Sequence, residues 1–127
     1  MSIATASHPS SSRSQVLTQA VREAARRLKV GPTDLGHIIG FSQPTSSRLL
    51  REKFAIPEGS KEWELSAHFV RLYRSLSSLV GEDANLMEIW LKTPNKAFDH
   101  QIPLDLIKRV DGLLNVCYYL DAHRAPT

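Results

Sequence analysis

Apolar residues recur at helical spacing along most of the chain, and Gly, Pro and Ser residues interrupt them at intervals. From Ser14 onward the apolar positions fall three and four residues apart, at Val16, Leu17, Ala20, Val21, Ala24, Ala25 and Leu28. Basic residues occupy the other face, at Arg22, Arg26, Arg27 and Lys29. Because this period matches the α-helix, the pattern predicts a first amphipathic helix that ends at Gly31.

A short second helix is predicted after the Gly31-Pro32 pair. Thr33 is expected to cap its start, and Leu35 and Ile39 supply the apolar positions that a small helical core needs. Gly36 is expected where this helix approaches the next one most closely.

The following residues predict a tight turn and a third helix. Gly40 supplies the backbone freedom for the turn, Phe41 fills the core beneath it, and the hydroxyl of Ser42 can cap the next helix. Pro44 fits only a first helical turn, where its missing N–H costs nothing. Two helices joined in this way form a helix-turn-helix.

Pro57 and Gly59 interrupt the pattern in the segment 54–60, which is predicted to be a connector. The next helix is predicted from about Lys61 to Val80 and is apolar on more than one side, at Trp63, Ala67, Phe69, Val70, Leu72, Leu76, Leu79 and Val80. A helix this apolar needs cover on most faces, and we expect its own domain and a second copy of the chain to provide it.

Three further elements are predicted in the last third of the chain. Glu82 and Asp83 favour a helix start, and the Pro94-Asn95 turn ends that helix. Pro103 begins another, and Gly112 is expected to break or bend the path before a last apolar helix over residues 113–120. The predicted fold class is therefore all-α.

Composition limits the class of protein to which the chain can belong. Apolar residues make up 42% of 127 positions, which suffices for a core, and a single cysteine, Cys117 in an apolar run, excludes an internal disulfide and is expected to be buried. Met1 to Ser12 read as a disordered leader without the apolar core of a secretory signal, and no segment has the length of a membrane span. We expect a soluble cytoplasmic protein with no membrane contact.

Charge is distributed unevenly between the two halves. Residues 1–59 hold eight Lys or Arg against four acids, whereas residues 60–127 hold eight against nine. The positive excess thus lies on the half with the helix-turn-helix, as contact with DNA phosphates requires. The residues expected to contact DNA stand at the start and along the exposed side of the third helix: Ser42, Gln43, Thr45, Ser47, Arg48 and Arg51. Two helices of an all-α domain without a DNA partner are the competing interpretation.

The chain offers no recognisable catalytic set. Its five histidines are scattered, and no HxxxH, CxxC or paired acids stand at ligand spacing. His37 and His68 fall inside predicted helices beside apolar residues and are expected to be packed. Gly-rich phosphate loops are missing as well. We therefore expect no enzyme activity, no metal and no cofactor.

The run Gly40-Phe41-Ser42-Gln43-Pro44-Thr45-Ser46-Ser47-Arg48-Leu49-Leu50 resembles the Xre family of repressor-type helix-turn-helix proteins. The resemblance implies that the third helix reads operator DNA. Ser46 departs from the family, which usually has a buried Val or Ile there. Because one aliphatic side chain contributes about 1.5 to 3 kcal/mol when buried, this departure predicts a looser motif.

The second half is similar to the toxin-binding domain of the Xre/MbcA/ParS antitoxins. The similarity lies in the order Trp90-Leu91, Pro94-Asn95, Phe98, Pro103-Leu104-Asp105-Leu106, Gly112, Val116 and Leu120. It implies an antitoxin that binds and inhibits a RES-domain toxin, an enzyme that attacks NAD, and that represses its own operon. Asp99-His100 departs from the Gly-containing turn of the family.

The similarity also implies where the toxin binds. The family presents the end of the chain to its toxin, and the polar segment from Asp121 onward follows a strongly apolar helix with no apolar residue to anchor it; a frayed terminus is the alternative. The candidate toxin-binding residues are Asn95, Phe98, Asp99, His100, Asp121, His123 and Arg124.

Together these observations predict a leader over residues 1–13, an Xre-like helix-turn-helix DNA-binding domain over 14–59, and a small helical toxin-binding and dimerisation domain over 60–127. The expected partners are a RES-domain toxin, operator DNA and a second copy of the chain. A plain dimeric helix-turn-helix repressor without a toxin partner is the alternative function.

Overall fold

The computed structural model describes residues 11–124, which form seven α-helices and one 3₁₀ turn at Lys96–Phe98. The helices are α1 Ser12–Leu28, α2 Pro32–Ile39, α3 Gln43–Leu50, α4 Lys61–Leu79, α5 Ala84–Lys92, α6 Pro103–Leu106 and α7 Val110–His123. Extended pairing within this range is limited to an isolated bridge between Asn95 and Gln101. The all-α prediction is confirmed.

Side-chain caps begin several of these helices. The Ser11 hydroxyl accepts the Ser14 N–H at 3.0 Å, and α1 begins at Ser12, two residues before the start predicted at Ser14. Residues 1–10 of the predicted leader lie outside the described part of the chain. Ser60 caps α4 in the same way, through the Trp63 N–H at 3.1 Å.

The start of α2 differs from the prediction. Gly31, not Thr33, is the N-cap residue, and Thr33 already lies inside the helix. Pro32 explains the difference, because its fixed φ and missing N–H suit the first helical position and thereby move the helix start upstream of Thr33.

The turn between α2 and α3 follows the prediction closely. Gly40 ends α2 with φ 96°, a left-handed conformation that glycine adopts without strain. A Cβ atom on Gly36 would lie 2.5 Å from the Phe41 carbonyl oxygen and 3.0 Å from Ser46 Oγ. The two helices therefore cross at Gly36, as expected. Phe41 is only half-buried and packs against the rim of the core.

Helix α4 occupies the centre of the fold. It packs against α1, α2, α5 and α7, and its buried side chains Phe69, Val70, Leu72 and Leu76 belong to the main core. Cover for the apolar faces of α4 thus comes largely from the same chain. The surplus that suggested a second copy is smaller than the sequence indicated, although Leu79 at the end of α4 remains 38% exposed.

Gly112 does not break the chain path. It lies in the first turn of α7, which continues without interruption to His123, and it is buried against the backbone of Leu106. The prediction of a break was wrong. Gly112 has an ordinary helical backbone, and this position excludes a side chain because the Leu106 backbone is too close. The small residue permits close packing of α6 and α7.

Polar contacts connect the first half of the chain with the second. Lys108 Nζ lies 3.0 Å from Asp34 Oδ1, and this hydrogen bond raises the pKa of Lys108. Arg27 donates to the Glu82 carbonyl at 2.7 Å, and Lys92 donates to the Lys29 carbonyl at 2.9 Å. Helix α4 packs against helices of both halves, and these polar contacts connect the two halves directly.

The single cysteine and the two helical histidines differ in burial. Cys117 is buried as expected, and burial raises the pKa of its thiol to about 11, so that it stays protonated at neutral pH. His68 is half-buried, but His37 is exposed on α2, so the prediction that His37 is packed was wrong. None of the helices within residues 11–124 has the length and apolar character that a membrane crossing requires.

Candidate functional sites

The start of α3 carries the first group of predicted site residues. Ser42 accepts the Thr45 N–H at 3.3 Å and donates its own proton to Thr45 Oγ1 at 3.1 Å, which confirms it as the cap. These bonds occupy much of the hydrogen-bonding capacity of Ser42 and Thr45. Gln43 remains exposed, whereas Ser47 is half-buried.

Arg48 is held in place by an aromatic pair that the sequence did not reveal. Its guanidinium carbon lies 5.6 Å from the centre of the Phe54 ring, and Phe54 packs edge-on against Phe41 at 5.1 Å. A cation over an aromatic face is attracted by the ring, and the stack limits the rotamers of the long side chain. Arg51 is restrained separately, because its Nε donates to the Ser47 carbonyl at 3.3 Å.

Ser46 faces the crossing of α2 and α3. It is fully buried, and its hydroxyl has no hydrogen-bond partner within residues 11–124. A buried unpaired hydroxyl is unfavourable, but the small side chain lies where Gly36 brings the α2 backbone close. Ser46, where the sequence departs from the Xre pattern, therefore lies at the close crossing of α2 and α3.

The second group of predicted site residues gathers around the 3₁₀ turn and the end of α7. Phe98 lies 5.0 Å from the Tyr119 ring, and His123 stacks on the same ring at 4.1 Å. Trp90 completes this aromatic cluster, 6.2 Å from Phe98 and 6.4 Å from Tyr119. Tyr119 was missed in the sequence, although it precedes His123 by one helical turn and so shares its face.

The turn beside this cluster is tightly bonded. Asn95 Oδ1 accepts the Ala97 N–H at 2.9 Å, and the Asn95 carbonyl accepts the His100 N–H at 2.9 Å. Asp99 and His100 adopt φ angles of 54° and 64°, in the turn for which the resemblance implies a Gly-containing sequence. Asp and His are among the residues that enter this left-handed region most readily. The fixed backbone presents both side chains to solvent.

Asp121 and Arg124 lie apart from the aromatic cluster, against α4. The Asp121 carboxylate accepts a hydrogen bond from the Ser75 hydroxyl at 2.7 Å and forms an ion pair with Arg71. Arg124 also donates to Ser75, at 3.4 Å. Desolvation opposes the charged form of Asp121, but the bonds from Ser75 and Arg71 outweigh it and lower its pKa.

The prediction of an unanchored end from Asp121 onward was therefore wrong for residues 121–124. The helix continues through His123, and Asp121 ties it to α4. The sequence could not reveal this contact, because the anchor is polar and 46 positions away. Residues 125–127 of the predicted site lie outside the described residues.

The site residues thus form three separate groups. The first is the start and exposed side of α3, the second is the turn 95–101 with His123, and the third is Asp121 and Arg124, which both contact Ser75 of α4. Nowhere in residues 11–124 do three His, Cys, Asp or Glu side chains come together as a metal site would require.

Comparison with known families matches both halves of the chain. Residues 8–71 match the antitoxin Xre-like helix-turn-helix domain, and residues 75–125 match the antitoxin Xre/MbcA/ParS C-terminal toxin-binding domain. The two matches meet inside α4, whereas the sequence pattern placed the boundary between residues 59 and 60.

The fold is also found in a solved structure. A chain in the crystal structure of the M. tuberculosis MbcT-MbcA toxin-antitoxin complex superimposes with a TM-score of 0.64, at 21% identity, over 85% of this chain and 93% of that one. No curated protein sequence matches the chain.

Proposed function

Because the chain belongs to the Xre/MbcA/ParS family of antitoxins, we propose that its toxin partner is a RES-domain enzyme that degrades NAD and that the chain inhibits it by binding. The match over residues 75–125 carries this proposal, since the toxin-binding domain of the family coincides with the turn 95–101 and the end of α7. The chain itself acts without catalysing a reaction.

The geometry of the second group supports inhibition by a rigid surface. The turn at Asn95 is fixed by side-chain and backbone bonds, and Phe98 and His123 both pack against the Tyr119 ring. A preorganised surface loses little conformational entropy on binding. Aromatic residues with a polar edge are also frequent at the centre of protein interfaces.

Co-purification with the protein encoded next to this chain tests the proposal. We expect the neighbouring reading frame to encode a RES domain and the two proteins to elute together after expression from one transcript. A neighbour without that domain, or separate elution of the two proteins, would favour the plain helix-turn-helix repressor.

We further propose that α3 reads operator DNA and that the chain represses its own operon in the cytoplasm. Support comes from the exposed Arg48 and Arg51, and from the stack that holds Arg48 on Phe54. Gln43 can pair with an adenine edge, and an arginine can reach guanine or phosphate.

Replacing Arg48 by Ala is expected to weaken operator binding by about 1 to 3 kcal/mol if this residue reads a base. Phe54→Leu keeps an apolar side chain but removes the stack, and a smaller loss is expected. Mobility shifts with the operator fragment measure both effects. Arg109→Ala is the control, since Arg109 is exposed on the other half of the chain. Unchanged shifts for an Arg48→Ala/Arg51→Ala double variant would exclude α3 from the interface.

We also propose that the chain is a homodimer, because one small reading motif binds DNA weakly and two can occupy successive half-sites. The exposed apolar residues Leu79, Leu86 and Ile89, at the end of α4 and on α5, support a surface for a second copy. Light scattering is expected to give twice the mass of one chain. The mass of a single chain at tens of micromolar would contradict this proposal.

A further inference from the structure

A groove with a volume of about 650 Å³ runs between α1, which belongs to the helix-turn-helix half of the chain, and α4. Its floor is apolar and includes Val16, Leu17, Trp63 and Ala67. Val16 is 66% exposed, although it lies in the helix that supplies much of the core. An apolar floor of this size, open to solvent, is typical of a site that receives an apolar side chain of a partner.

Arginines line the rim of the groove, and none of the acidic residues between positions 11 and 124 does: the basic residues are Arg13, Arg71, Arg74 and Arg124. Arg13 lies over the Trp63 ring at 5.7 Å and pairs with Glu58 outside the groove at 2.9 Å. Arg74 is exposed and forms no ion pair within residues 11–124. Arg71 pairs with Asp121, so that Arg74 and Arg124 carry the positive charge of the rim without an ion-pair partner in the described part of the chain. The groove therefore combines an apolar floor with a positive rim.

This combination selects among the possible occupants. A two-fold dimer with its axis through the groove would bring one arginine rim against an identical one, and like charges in contact are unfavourable. Nucleic acid would satisfy the arginines but would leave the apolar floor against phosphates. An acidic polypeptide segment with an apolar residue matches both features.

We propose that this groove receives an acidic segment of the toxin, with an apolar side chain against Val16 and Trp63 and carboxylates beside Arg74 and Arg124. The inference rests on the proposed function and extends it, because it places toxin contacts on α1 of the helix-turn-helix half and on the neighbouring face of α4. Arg124 belongs both to the rim and to the predicted toxin-binding end, so that the two surfaces are continuous.

Val16→Glu and Arg74→Glu test this inference in the full chain, with toxin binding measured by titration calorimetry. Both side chains are exposed, so the fold is expected to be unchanged by circular dichroism. Each variant is expected to bind the toxin at least tenfold more weakly. Gln19→Glu is the matched control for Val16, because it adds the same charge to an exposed position of α1 outside the groove. Arg74→Lys keeps the charge and is expected to retain most of the affinity.

The outcomes separate this inference from the proposed function. Wild-type affinity in both Glu variants would overturn the groove as a toxin site and leave toxin inhibition intact. Failure of the wild-type chain to bind the toxin would overturn both. A dimer that dissociates in the Val16→Glu variant while toxin affinity is unchanged would assign the groove to a second copy and would also overturn the inference.

Discussion

Replacing Gly112 by Ala is expected to destabilise the chain by roughly 3 kcal/mol or more, at the upper end of what overpacking usually costs. A Cβ atom at this position would lie 2.8 Å from the carbonyl carbon of Leu106 and closer still to its oxygen. Backbone atoms cannot rotate away as a flexible side chain can. Helices α6 and α7 must therefore move apart, which opens the core around Leu113 and Ile107.

Urea unfolding followed by circular dichroism measures this effect. Gly31→Ala is the control, because a Cβ at Gly31 meets no atom within 4 Å and its φ angle of −81° suits any residue. Since Gly31 is the N-cap of α2, where Gly is preferred to Ala, a loss of only about 1 kcal/mol is expected. Equal unfolding midpoints for the two variants would show that α6 and α7 are not packed as closely as described. Loss of toxin binding in Gly112→Ala is expected to follow from the loss of structure.

Deleting the chain from Ala122 onward is expected to abolish most toxin inhibition while the fold persists. The deletion removes the His123 ring from Tyr119 and the Arg124 bond to Ser75, but leaves Asp121 with Arg71 and Ser75. Since an aromatic pair contributes about 0.5 to 1.5 kcal/mol, the free energy of unfolding is expected to fall by no more than about 2 kcal/mol. Inhibition is expected to weaken at least tenfold, because a guanidinium that can hold several acceptors is lost.

NAD concentration in cells that co-express the toxin measures inhibition, and operator binding by the truncated chain reports on the fold. An Asp99→Gly/His100→Gly variant is the companion, because glycine keeps both left-handed φ angles and removes only the side chains. Full protection by the truncated chain, with loss of protection in the Gly variant, would move the inhibitory contact to the turn 95–101.

The helices and their turn were largely predictable from the sequence because their signals are local. Ser42, Gly40 and Pro44 specify the start of α3 within a few residues, and the spacing of apolar residues specifies α1 and α4. The close crossing at Gly36 was predictable for the same reason. Thr33 shows the limit of local signals, since two neighbouring residues could each begin the helix and Pro32 decided between them.

Side-chain contacts across a loop or between helices could not be predicted in this way. Phe54 holds Arg48 across the loop after α3, and Ser75 and Arg71 hold Asp121 across 46 and 50 positions. Neither pairing leaves a periodic trace in the sequence. The apolar faces of α4 gave a correct signal for burial, but periodicity alone cannot tell whether the same chain or a second copy provides the cover.

The most direct test of toxin inhibition is a titration of the purified partner enzyme with the purified chain. The protein encoded beside this chain is purified, supplied with NAD, and titrated with the intact antitoxin while NAD loss is recorded. We expect NAD loss by the partner alone, complete suppression as the antitoxin saturates it, and little suppression by the chain deleted from Ala122. NAD loss that continues unchanged at saturating antitoxin, or a partner that does not consume NAD, would contradict this expectation.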